Sequence, residues 1–118
     1  METLKIYQKW EDMLTYLYPA ARAYPKAERF TLASRTIDKA LELGLYIVRA
    51  NSLRNTTEKR SALEQADIAL AELKILARLA MRIQSLPVRK YENLSVMLVE
   101  IGKMLGGWMR STWGQAAQ

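Results

Sequence analysis

The sequence predicts an all-α fold: an antiparallel up-down four-helix bundle forming one domain over residues 1–118, with 113–118 as a frayed tail. Three observations carry this. Apolar residues recur at spacings of three and four through almost the whole chain, with no competing period of two. Gly and Pro number only 5 and 3, too few for a turn-rich all-β fold. Pro25, Pro87 and the polar run 51–57 divide the chain into four segments of helical length.

The first segment spans residues 3–24. Ile6, Trp10, Met13 and Leu17 recur at four, three and four, which places them on one helix face. Thr3 is its candidate N-cap, and Pro19 predicts a kink or local break near Leu17. The second segment spans 26–53, with Pro25 in its first turn, where a missing N–H is tolerated. Ile37, Leu41, Gly44, Leu45 and Val48 form its predicted apolar stripe.

The third segment spans 58–85, with Thr57 as N-cap and Glu58 in the favourable first turn. Leu63, Ala66, Leu70, Leu73, Ala77 and Ala80 repeat at three and four. Ile68, Ile75, Leu76, Leu79 and Ile83 widen the apolar surface well beyond one stripe. A helix in a four-helix bundle is never central, so the surplus predicts contact with another subunit. The fourth segment spans 87–112, its N-cap falling near Ser85 or Leu86. Leu94, Leu98, Ile101, Leu105 and Trp108 make a coiled-coil-like seam. Gly102, Gly106 and Gly107 within it predict close approach of a neighbouring helix.

Composition excludes several kinds of chemistry. There is no Cys and no His, which removes disulfides, Cys nucleophiles, His bases and the usual zinc and haem ligands. Carboxylates such as Glu42, Glu64, Asp67 and Glu100 are scattered, and no glycine loop suits a phosphate. The reading is therefore a non-enzyme without cofactor or metal. No apolar run has the length of a membrane span, and residues 1–10 do not resemble a signal peptide, so a cytoplasmic protein with no membrane partner is expected.

Lys and Arg number 18 against 12 Asp and Glu, a formal charge of +6 that suits an acidic partner. Residues 1–25 are balanced, and 26–55 carry six basic against three acidic side chains. Lys74, Arg78 and Arg82 recur every four residues and make a basic strip about 12 Å long. Arg35 and Lys39 are four apart, with Arg49 further along, and Lys103 and Arg110 are seven apart. Arg's fork matches phosphate oxygens, and several such groups together give affinity by counterion release. These eight residues are the candidate nucleic-acid and partner-binding set. No helix-turn-helix, zinc finger or aromatic sheet motif points to sequence-specific readout.

Three stretches carry a family resemblance. The run YPKAERFTL at 24–32 resembles the opening of the second helix in a family of bacterial four-helix bundles that includes ribosomal-RNA intervening-sequence proteins. ALAELKILARLA at 69–80 and EIGKMLGGW at 100–108 narrow the likeness to the accessory variability determinant (Avd) proteins of diversity-generating retroelements. The resemblance runs from about Trp10 to Arg110 and departs at Ala33, where related sequences often have Gly.

It implies a basic bundle, bacterial or phage-encoded, assembled as a homopentameric ring. It implies two partners, a reverse transcriptase and its template-repeat RNA, and a role in mutagenic cDNA synthesis and retrohoming without chemistry of its own. It places Lys74 and Arg78 on third-helix positions directed at partners, and Arg82 one turn on; Arg29 is expected to pair within the bundle. The alternative is the intervening-sequence type, an oligomeric or structural bundle with no polymerase partner.

Overall fold

The computed structural model describes the backbone from Glu2 to Ala116 and the side chains of residues 5–114. Four α-helices carry the chain: α1 (Glu2–Arg22), α2 (Ser34–Ser52), α3 (Thr56–Arg82) and α4 (Val88–Ala116). They alternate in direction, each packs on the next, and α4 returns against α1. The bundle measures 51 × 23 × 20 Å, and no strand occurs among the described residues. No helix is long and apolar enough to cross a membrane.

The predicted seams of α1, α3 and α4 are the buried ones. Ile6, Met13 and Leu17 meet Leu63 and Leu73 of α3 and Leu94, Leu98, Ile101 and Leu105 of α4 in one core. Much of the buried face of α3 is alanine, at residues 62, 66, 69, 77 and 80. Small side chains let its backbone approach its neighbours closely, which suits a bundle this narrow.

On α2 the predicted stripe is rotated off the core. Ala40, Leu43, Gly44, Ile47 and Ala50 are buried, whereas Leu41, Leu45 and Val48 are exposed and Ile37 is half-buried. Two apolar faces fit the helical spacing on α2: Ala40, Leu43, Ile47 and Ala50 recur at three and four as Ile37, Leu41, Leu45 and Val48 do, and the face carrying the small residues Ala40, Gly44 and Ala50 is the one that packs closely. Gly44 is required there. A Cβ on Gly44 would lie inside the indole of Trp10. The Trp10 N–H also donates to the Ala40 carbonyl, at 2.8 Å, tying α1 to α2.

The connections differ from the sequence in ways the backbone explains. α1 runs through Pro19 to Arg22 without the expected break, because Leu17, Ala20 and Ala21 are buried on either side. The expected helix from residue 26 opens instead as a 3-10 turn, Lys26–Glu28, and a π turn, Arg29–Ala33. At the register change into α2, the buried Thr36 hydroxyl donates to the Leu32 carbonyl at 2.7 Å.

The N-cap of α3 is Asn55 rather than Thr57: its side chain accepts from the Glu58 N–H at 3.0 Å. Thr3 lies inside α1, and its side chain is outside the described residues. α4 continues through Trp113 to Ala116, further than the sequence predicts, with Arg60 packed 4.9 Å over the Trp113 ring; residues 117–118 lie outside the description.

α3 ends in a Schellman turn. The Ser85 N–H donates to Ala80 O and the Gln84 N–H to Met81 O. Gln84 takes the left-handed position, φ 65°, where glycine is the usual residue. The Pro87 carbonyl then accepts from Tyr91 N and opens α4.

Two substitutions test these contacts by thermal unfolding followed by circular dichroism. Gly44→Ala should cost about 1–3 kcal/mol or more, because the indole must leave its seat. Gln84→Gly should raise stability by about 1 kcal/mol, because it relieves a left-handed side-chain residue.

Candidate nucleic-acid interface

The eight sequence-predicted residues do not form one site. Lys74, Arg78 and Arg82 are exposed on consecutive turns of α3, and no ion pair joins them to a described residue. Lys74 leans towards α4: its Nζ lies 3.8 Å from where a Gly102 Cβ would stand. Arg35 sits in a groove between α2 and α3 with Asp38, Glu42 and Glu72. Arg49 lies at the opposite end of α2, stacked 5.5 Å over Tyr46.

Lys39 is ion-paired within the bundle. It is pinned between Glu42 at 2.9 Å and Glu72 at 3.1 Å. Those two hydrogen bonds raise its pKa above the usual lysine value. A periodicity argument along α2 does not see Glu72, which comes from α3.

On α4, Lys103 lines a groove with Lys5 and Trp108. Arg110 folds back over its own helix, with guanidinium nitrogens 3.4 and 3.8 Å from the positions of a Gly106 and a Gly107 Cβ. Of the three glycines, Gly102 alone faces a neighbouring helix, where an added Cβ would stand 3.4 Å from Leu70. Gly106 and Gly107 accommodate Arg110.

The topology assembles a larger cationic surface than the strip. α1 ends, α2 begins, α3 ends and α4 begins at the same end of the bundle. Residues 22–33 bring Arg22, Lys26 and Arg29 there, and residues 78–91 bring Arg78, Arg82, Arg89 and Lys90. Glu28 is the one acidic residue in these two stretches. All seven cations are exposed, and none makes an ion pair with a described residue.

Arg29 is thus directed to solvent rather than paired within the bundle. Arg22, Lys26, Arg29, Arg89 and Lys90 were missed because each lies near a turn, where helical spacing gives no signal. The absence of any acidic residue between Glu72 and Glu92 was the available clue.

The same end holds Tyr24, buried with a hydroxyl that makes no hydrogen bond. Burial pushes its pKa up to about 12, so the hydroxyl keeps its proton. Beside the basic strip, Ile68, Ile75, Leu79 and Ile83 are exposed along α3, as are Leu41, Leu45 and Val48 on α2. Among the described residues no three acidic side chains converge as a metal site.

A family model described as bAvd-like matches residues 4–112. The chain belongs to the bAvd-like family. This is an Avd-type accessory family without catalysis of its own. The fold is similar to that of a protein of unknown function from the S23 ribosomal protein family of Bacteroides thetaiotaomicron. The two are 15% identical with a TM-score of 0.85, over 93% of this chain and 99% of that one. At that identity the likeness concerns the fold. Comparison with curated proteins gives no match.

Tyr24 and Lys39 both hold their protons more tightly folded than unfolded. Stability from each is full below the unfolded pKa, near 10, and is lost as pH rises through the folded value. The urea midpoint should therefore fall between pH 9 and about 12, and Tyr24→Phe should flatten part of that fall.

Proposed function

We propose that this bAvd-like chain is the accessory subunit of a diversity-generating retroelement. It binds template RNA and the reverse transcriptase and so supports mutagenic cDNA synthesis and retrohoming. The single observation that carries the RNA-binding part is the cationic end of the bundle. Arg78 and Arg82 there continue the strip begun by Lys74, all without an acidic partner among the described residues. Family membership supports the retroelement part.

The mechanism is electrostatic. Each phosphate neutralised by Lys or Arg releases condensed counterions, so affinity accumulates from several weak contacts. The exposed apolar faces of α2 and α3 suit subunit contacts in a ring, pentameric in this reading. A ring repeats the cationic end, and multivalency raises affinity without a strong site in any one subunit. RNA then bridges the ring to a basic reverse transcriptase, and the association weakens with nuclease or high salt.

The test is a titration of labelled structured RNA at two salt concentrations, with light scattering on the same sample. A stable oligomer should bind with an affinity that falls steeply as salt rises. The double substitution Lys74→Glu with Arg78→Glu should weaken binding and reduce the logarithmic salt slope by roughly two, with helix content and oligomer size unchanged. Absence of binding at low salt would overturn the RNA mechanism and favour the intervening-sequence type of bundle. Unchanged affinity in the double variant would remove Lys74 and Arg78 from the interface.

A further inference from the structure

The run at 24–32 takes no part in the α3 strip, yet it forms the most irregular backbone of the chain. A 3-10 turn, Lys26–Glu28, passes directly into a π turn, Arg29–Ala33. Isolated π turns are rare and occur frequently at functional sites. Phe30 sits on this one and is 85% exposed, more than any other large apolar side chain among the described residues. An aromatic ring held in water on an ordered turn contributes nothing to the core.

Phe30 borders a groove of about 450 Å³ between the end of α1 and the start of α2. Tyr18, Arg22, Tyr24, Arg29 and Asp38 line it as well. Arg22 lies 5.9 Å over the Tyr18 ring. Neither Arg22 nor Arg29 is ion-paired with a described residue. Tyr24 is 6% exposed, and its hydroxyl is buried without a hydrogen-bond partner. Leaving such a group unpaired is unfavourable.

An open aromatic face and two guanidinium groups match the base and phosphate of a nucleotide. A base stacks on an aromatic ring whatever its identity, and Arg forks onto phosphate. Duplex RNA keeps its bases stacked inside the helix and offers Phe30 no face. The two arginines against Asp38 alone give the groove a net positive lining that suits a polyanion.

We propose that this groove holds one unpaired nucleotide of single-stranded RNA, with the base stacked on Phe30 and its phosphate held by Arg22 and Arg29. The proposal rests on the RNA-binding reading above and assigns the unpaired part of the RNA to a surface separate from the α3 strip.

The experiment is fluorescence anisotropy with the full chain, using a labelled single-stranded RNA and a perfectly paired RNA duplex of equal length. Phe30→Ala should weaken single-strand binding roughly tenfold. It should leave duplex affinity and the salt slope unchanged, because no charge is lost. Phe30→Trp should restore single-strand affinity and show added quenching of indole emission on RNA binding.

Parent-like single-strand affinity in Phe30→Ala would overturn the groove and leave the RNA-binding reading standing. A changed oligomer size in Phe30→Ala, read by light scattering, would also overturn it and assign the ring to contact between copies. No binding of either RNA by the parent at low salt would overturn both the groove and the wider reading.

Discussion

A bundle 23 × 20 Å in cross-section can bury only one face of each helix. That constraint shapes the rest of the molecule. Alanines along α3 and Gly44 on α2 bring the helices close, and the indole of Trp10 fills the space that Gly44 leaves. The second apolar faces of α2 and α3 are left outside, and so are most of the charges.

The two ends of the elongated bundle are not equivalent in backbone regularity. At the end where α1 passes into α2, the chain leaves α-helical geometry for a 3-10 and a π turn. The left-handed Gln84 closes α3 at the same end. Local irregularity, unpaired cations and a buried hydroxyl without a partner thus coincide in space. The middle of the molecule behaves differently: Lys9 pairs with Glu100, and Lys39 with Glu42 and Glu72. Pairs of this kind contribute little stability when exposed, and they offset the positive charge of those lysines.

Much of the fold was legible because helical periodicity is a local property. The seams of α1, α3 and α4 were read from Leu, Ile and Met at three- and four-residue spacing. α2 was misread because it carries apolar residues at helical spacing on two faces, and spacing alone does not say whether Leu43 and Ile47 or Leu41, Leu45 and Val48 face the core. The π turn was invisible for a related reason, since residues 29–33 read as ordinary helix formers. Asn55 displaced Thr57 as the N-cap because its side chain reaches the Glu58 N–H. The candidate interface was legible only in part. Periodicity found Lys74, Arg78 and Arg82 on one helix. It could not find Arg22, Arg29, Arg89 and Lys90, which topology alone brings to the same end, nor could it see that Glu72 reaches across to Lys39.

The central claim is that RNA meets this protein at the end of the bundle where α1, α2, α3 and α4 all terminate or begin. Ultraviolet crosslinking of bound RNA, with the attached peptides identified by mass spectrometry, tests it directly. The account predicts crosslinks concentrated in residues 18–35 and 74–91, lost in high salt. Crosslinks confined to residues 49–60 and 103–114, at the opposite end, would contradict it.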